Sequence, residues 1–308
     1  MTKNVWYKSK NKKTEIYVKM WIPDGEPRAV VQIVHGMIEH IRRYDEFAEF
    51  LVSKGFLVVG HDHLGHGWSV NSTEEWGYFS DDPSRTLVRD IHQLRVNMKK
   101  RYPDLPYFIL GFSMGSYLIR RYLADYGSGI SGVIIMGTGH VSPALARFGV
   151  DFTKLYALFK GWNHRSLLVK AMMYNRSYSQ YDMTNRNPEK SWLSTDPQVL
   201  INALEDPACR FNFTLNGYLG LFETVAFACS MKNVERIPKN LPVLIVSGEK
   251  DPVGGLGKGV IRFSRMCNKA GLTDKKLKLY GGDRHEILHE RDKEVVFEDI
   301  LNWMEAHL

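Results

Sequence analysis

Residues 107–126 read Tyr107-Phe108-Ile109-Leu110-Gly111-Phe112-Ser113-Met114-Gly115-Ser116-Tyr117-Leu118-Ile119-Arg120-Arg121-Tyr122-Leu123-Ala124-Asp125-Tyr126. A short apolar run, Tyr107–Leu110, predicts a buried strand, and Met114–Tyr126 predicts a helix. The G-x-S-x-G between them, Gly111 to Gly115, is a sharp strand-to-helix turn. Such a turn crowds the neighbours of its serine, so glycine is needed on both sides. It also sets the Ser113 hydroxyl at a helix N-terminus, where the dipole and free N–H groups favour developing negative charge. Ser113 is therefore the expected nucleophile.

Outward from this segment the same rhythm repeats. A hairpin is expected over Val5–Lys8 and Glu15–Ile22, strands over Ala29–Val34, Phe56–Gly60 and Gly132–Met136, and helices over Tyr44–Lys54 and Thr86–Arg101. Near-continuous apolar strands interleaved with helices predict the α/β class, a mostly parallel central sheet flanked by helices on both faces. After Gly139 the rhythm breaks. Residues 140–236 are rich in aromatics and methionine, with short helical patterns at Phe152–Phe159, Ser166–Tyr174 and Tyr218–Cys229 and no strand pattern. It then returns with Leu241–Ser247, Gly259–Ala270, Leu277–Tyr280 and Glu294–His307. The expected organisation is one α/β core, 1–139 and 237–308, with a helical cap inserted at 140–236. Ligands bind at the carboxyl ends of such strands, so an insertion leaving there would form a lid.

A serine hydroxyl needs a neighbouring base, itself oriented by an acid. Two later strands end in suitable residues: one runs into Gly248-Glu249-Lys250-Asp251-Pro252, the other into Gly281-Gly282-Asp283-Arg284-His285. His285 is the expected base. Asp251 is preferred over Glu249 as the acid because Pro252 fixes the chain just after it. Asp283 sits too near His285 in the chain to reach its ring, and reads as a turn residue. The oxyanion needs two backbone donors: Met114, just after the nucleophile, and Met37 in the His35-Gly36-Met37 loop after Ala29–Val34. His35 is expected to be structural.

Two patterns point elsewhere. His285-Glu286-Ile287-Leu288-His289 matches the zinc-protease H-E-x-x-H, but it follows a Gly-Gly turn, where one continuous helix is not expected. His61-Asp62-His63-Leu64-Gly65-His66-Gly67 looks like a metal cluster without a known ligand spacing, and reads as a tight loop below the site. No metal or organic cofactor is expected.

Composition is that of an ordinary globular protein, 44% apolar and 24% charged. The net charge is +7, yet the basic residues are scattered and read as solvated surface, so no nucleic-acid partner is expected. Cys209, Cys229 and Cys267 lack disulfide or metal spacing, and the lysine-rich start, Met1 to Lys13, lacks a signal-peptide core. A cytoplasmic location is expected. The apolar insertion suits transient contact with a membrane surface or a second subunit, and the sequence sets no oligomeric state.

Taken together, five ordered motifs resemble the bacterial lysophospholipase and monoglyceride-lipase-like branch of the α/β-hydrolases, a branch often labelled serine aminopeptidase-like. They are His35-Gly36-Met37-Ile38-Glu39-His40 with Arg43-Tyr44, Asp62 to Ser69, Gly111 to Ser116, Gly248 to Val253, and Arg284 to Leu288. The lid stretches Trp192–Ser194, Asp206–Cys209 and Phe211–Tyr218 are similar too. The resemblance implies the α/β-hydrolase fold and a small-molecule acyl ester substrate, lysophospholipid or monoacylglycerol-like. It also implies that Glu39 and Arg43 lie near the substrate's polar group. Three departures stand out: Phe112 replaces a histidine common in the elbow, His289 stands where the bacterial members usually have Asn, and Leu288 occupies the position of a glycerol-holding histidine in monoglyceride lipases. The expected activity is carboxylic ester hydrolysis through an acyl-enzyme. Rival readings are an amidase or aminopeptidase of the same fold, a zinc metallohydrolase, and a non-catalytic hydrolase-like receptor.

Overall fold

The computed structural model describes all 308 residues. Eight strands form one sheet: β1 (Thr2–Lys8), β2 (Glu15–Trp21), β3 (Ala29–Val34), β4 (Phe56–His61), β5 (Tyr107–Phe112), β6 (Gly132–Met136), β7 (Val243–Gly248) and β8 (Lys275–Tyr280). Their spatial order is β1-β2-β4-β3-β5-β6-β7-β8. The first two pairings, β1 with β2 and β2 with β4, are antiparallel, and every pairing from β4 to β8 is parallel. Strands β3 to β7 are buried along their whole length, as a sheet covered on both faces requires. The edge strand β8 instead exposes lysines 275, 276 and 278 to varying degrees, a charge pattern that discourages edge-to-edge pairing.

The period-two alternation of β5 shows how the sheet makes two cores. Tyr107 and Ile109 face one apolar cluster with α2 (Pro83–Arg101), α3 (Met114–Tyr126) and α9 (Lys258–Lys269). Phe108, Leu110 and Phe112 face the other, with α1 (Asp45–Ser53) and α10 (Lys293–Glu305). Helices thus cover both faces, as the alternation of patterns in the sequence predicts.

Between β6 and β7 the chain forms α4 (Pro143–Lys160), α5 (Leu167–Met172), α6 (Pro197–Glu205), α7 (Leu215–Ala228) and α8 (Met231–Val234), with no strand. Helix α4 begins nine residues before the predicted Phe152, because Ser142 caps it by accepting from Leu145 N and Pro143 suits the first turn. Helix α6 has no counterpart in the sequence reading. Asp196 caps it through Gln198 N and Pro197 opens it, a start signal that hydrophobic periodicity does not carry in so short a helix.

Candidate active site

The elbow holds Ser113 at φ +51 and ψ −118, a left-handed conformation costly for a residue with a side chain. Sterics enforce it. A Cβ on Gly115 would strike Val34 O and lie 2.6 Å from His35 O, so α3 packs its backbone directly onto the carboxyl end of β3. A Cβ on Gly111 would lie 2.7 Å from Gly115 O. The Phe112 ring packs 4.7 Å from that of His285, and so the side chain that departs from the common histidine helps seat the base.

Three side chains expected from the sequence meet here. His285 Nε2 lies 2.8 Å from Ser113 Oγ. His285 Nδ1 lies 2.9 Å from Asp251 Oδ2, within ion-pair reach but off the line of a well-directed hydrogen bond. Asp251 is fully buried and doubly held: Oδ2 accepts from Ser247 Oγ at 3.1 Å, and Oδ1 from Val253 N at 2.8 Å. Glu249, the competing acid, is exposed. Asp283 is a buried turn residue whose carbonyl accepts from Lys250 N, and burial next to Asp292 and Glu290 pushes its carboxyl up to about 7.

The Met37 and Met114 N–H groups donate to no protein acceptor. Gly36 brings the two together: a Cβ there would lie 3.1 Å from Ser113 Cβ and 2.6 Å from Glu39 Oε1. Below this loop, His35 accepts from His63 N through Nε2 at 2.9 Å and donates to Gly36 O through Nδ1 at 2.8 Å. The rings of His35, His63 and His66 pack against one another, with His61 beside His63. Burial pushes all four well below the usual imidazole range, His63 to about 4, and holds them neutral. Asp62, likewise buried, accepts from Ile41 N and Trp68 N at 2.8 Å each, and burial still pushes its carboxyl up to about 6. The histidine-rich loop thus packs beneath the His35–Met37 loop, in keeping with the tight loop below the site expected from the sequence.

Glu39 and Arg43, implied by resemblance to face the polar group of a substrate, give their charged atoms to protein partners. Glu39 accepts from Gly36 N, Tyr44 Oη and Arg43 Nη1, while Arg43 forks onto Glu286 at 3.1 and 2.6 Å. Glu286 was missed in the sequence except as part of H-E-x-x-H. That segment is not an α-helix: only a 3₁₀ turn, Ile287–His289, separates His285 from α10. His285 and His289 therefore do not share a helical face, and His289 Nε2 meets Arg43 O at 3.0 Å.

The histidine loop also grips residues 189–195 of the insertion. Arg284 donates to Ser191 O, to Ser194 O at 2.9 Å and to Glu189 O at 3.2 Å, and the Glu290 carboxylate accepts from Ser194 Oγ and Thr195 N, each at 2.9 Å. Glu286 N donates to Leu193 O at 2.7 Å, and the Trp192 ring lies 5.1 Å from His285. A second tie joins the oxyanion loop to the insertion, His40 Nε2 to Asp206 Oδ2 at 2.6 Å. Two clefts of about 660 and 640 Å³ open elsewhere, between α2, α4 and α7, and contain none of these groups.

A mostly parallel sheet with a serine elbow at its centre, and a carboxylate and a histidine brought to it from later strand ends, defines the α/β-hydrolase class. Within it, the family described as "Serine aminopeptidase, S33" matches residues 25–292, and the chain belongs to that family. It is 30% identical over 292 residues to a monoglyceride lipase homolog of Monkeypox virus, covering 94% of both chains. It is 27% identical over 302 residues to the monoacylglycerol lipase of Mycolicibacterium smegmatis, covering 95% of this chain and 94% of the relative. Among solved structures, a thermostable carboxyl esterase from Bacillus coagulans in complex with glycerol superposes with a TM-score of 0.88 at 30% identity, covering 99% of this chain and 98% of that one.

Proposed function

We propose that the chain is a serine carboxylester hydrolase acting on acyl lipid esters of the monoacylglycerol or lysophospholipid kind. The 2.8 Å approach of Ser113 Oγ to His285 Nε2 carries this reading. His285 takes the Ser113 proton as the oxygen attacks the ester carbonyl, Asp251 stabilises the imidazolium, and the Met37 and Met114 N–H groups receive the oxyanion. The imidazolium then protonates the departing alcohol, and a water, deprotonated by His285, hydrolyses the acyl-enzyme. Residues 140–236 act as the cap over this site, and residues 1–139 and 237–308 as its core. The monoglyceride lipase relatives and the glycerol-bound esterase support the substrate class.

The test is intact mass after fluorophosphonate treatment. One adduct on the wild type, indifferent to a chelator and absent from Ser113→Ala, is the expected result; no adduct on folded wild type refutes the mechanism. The family description favours one second reading, amide cleavage at a peptide N-terminus. Hydrolysis of aminoacyl-nitroanilides in preference to p-nitrophenyl esters would establish it.

The cap suits a substrate drawn from a lipid surface. Leu145, Phe148, Leu155, Leu158, Phe159 and Leu168 on α4 and α5 are more than half exposed, with the exposed Arg147 and Lys160 on α4. Apolar anchors with flanking cations suit transient contact with anionic membranes. No helix is long and apolar enough to cross one. Vesicles of anionic phospholipid should retain the wild type and release Leu158→Glu; equal retention refutes this contact. With three unpaired cysteines, a reducing, cytoplasmic location fits this reading.

A further inference from the structure

We infer that Arg43, Glu39 and Glu286 form a buried bridge that positions the oxyanion loop and the histidine loop against each other, keeping donor and base in one geometry. The inference rests on the hydrolase reading above. Arg43 and Glu286 lie 243 residues apart in sequence, on two loops that otherwise belong to different strands. Their side chains are only 15% and 5% exposed, and that of Glu39 is 3% exposed.

One guanidinium serves both loops. Nη1 reaches Glu39 Oε2 at 3.2 Å and Glu286 Oε1 at 3.1 Å, while Nη2 reaches Glu286 Oε2 at 2.6 Å. Planar, two-pronged pairing of this kind fixes direction as well as distance, which an ammonium could not do. On the oxyanion side, Glu39 Oε1 takes the Gly36 N–H, one peptide before the Met37 donor, and Tyr44 Oη donates to the same oxygen at 3.0 Å. On the other side, Glu286 is the chain neighbour of His285. His289 closes the ring of contacts, Nε2 to Arg43 O and Nδ1 to Glu286 Oε2, each at 3.0 Å.

Three buried charges are costly, and an apolar filling of the same volume is often at least as stable. A network that is expensive to bury and touches both catalytic loops therefore serves geometry and charge more than stability. Its electrostatics are strongly directional. Burial opposes the charge on Glu286, but Arg43 and His289 outweigh it and hold the carboxyl well below its usual range. Burial likewise opposes the charge on Arg43, and Glu286 and Glu39 overcome it and raise its affinity for the proton. Around Glu286 stand Arg43, Glu39, His289 and the thiol of Cys209; around His285 stand Ser113 and Asp251. Removing a carboxylate oxygen of Glu286 takes away an acceptor that the Arg43 fork uses, so the two loops lose their shared anchor.

The experiment measures the rate of Ser113 labelling by a fluorophosphonate and hydrolysis of p-nitrophenyl butyrate, from about pH 5 to 9, for wild type, Glu286→Gln and Arg43→Lys. In Glu286→Gln, kcat and labelling should fall on the order of 10-fold to 10²-fold with KM changed less than about twofold. Arg43→Lys keeps the charge but loses the fork, so its kcat and labelling should fall as well, again with KM little changed. Loosened packing alone would lower the melting temperature without lowering kcat and labelling at a nearly constant KM. If Glu286→Gln does not fold, Glu39→Gln removes one charge from the same network and is read identically. Rates within about twofold of wild type, or a KM that rises as much as kcat falls, overturn the bridge. Wild type that is labelled but cleaves no ester overturns the substrate reading alone, since labelling still reports on the bridge. Wild type that is not labelled overturns both.

Discussion

Replacing Gly115 by alanine changes no catalytic side chain, yet it should disable the site. The new Cβ would collide with Val34 O and lie 2.6 Å from His35 O and 2.8 Å from the Val34 carbonyl carbon. All three are backbone atoms of a buried strand end, so none can turn aside as a flexible side chain would. The N-terminus of α3 must instead retreat from β3 by roughly 1 Å to restore ordinary contact. Overpacking of this kind costs about 1–3 kcal/mol, and more where the obstacle is backbone. The same retreat carries the Met114 N–H away from the oxyanion position, a loss worth on the order of 10²–10³ in rate. Melting temperature and fluorophosphonate labelling would be measured on one sample. A drop of several degrees is expected, at roughly 2–4 °C per kcal/mol for a chain approaching this size, with labelling slowed at least 10²-fold. An alanine variant that melts with wild type and labels within threefold of it would refute the claim that glycine is here for steric clearance.

Asp251→Asn should retain the fold but lower kcat on the order of 10⁴-fold, because an amide cannot stabilise the imidazolium and favours the wrong tautomer. A drop under tenfold in a steady-state ester assay would mean that Asp251 does not orient His285. His61→Phe tests the histidine-rich loop. Neither ring nitrogen of His61 has a hydrogen-bond partner, and burial lowers its folded pKa, so its contribution is present above the unfolded value and lost as pH falls below it. The unfolded chain alone binds that proton below about pH 6.5, at roughly 1.4 kcal/mol per pH unit. The variant should therefore be near wild type in stability at pH 7.5 and gain about 2 kcal/mol on it at pH 5 in urea titrations. Parallel stability curves across that range would show that His61 is not held neutral.

Most of the core was legible because its signals are local. Gly111 and Gly115 announce the elbow by steric need, and parallel strands carry every later loop to the same edge, so the loops of Asp251 and His285 could be anticipated from strand ends, while Pro252 and the family resemblance favoured Asp251 over Glu249. The insertion was less legible. Asp196 and Ser142 start helices by capping, a signal that hydrophobic periodicity does not carry. The bridge from Arg43 to Glu286 was invisible for a different reason: nothing in the spacing of two residues 243 apart specifies that their charges will be buried together. H-E-x-x-H drew attention to Glu286 for the wrong chemistry, since zinc geometry requires a helix that the Gly281-Gly282 turn does not allow to begin.

The grip of Arg284 and Glu290 on residues 189–195 has a consequence for how this protein could be recombined. Although that stretch lies within the inserted segment, its carbonyls and hydroxyls hold the loop that carries the base. In mechanical terms it belongs to the core, and the portable part of the insertion ends before it. A chimaera exchanging all of 140–236 for a relative's sequence would replace the seat of His285 along with α4 and α5. Joining instead between Met172 and Glu189 would let α4 and α5 be traded for new substrate ranges while the base keeps its native footing.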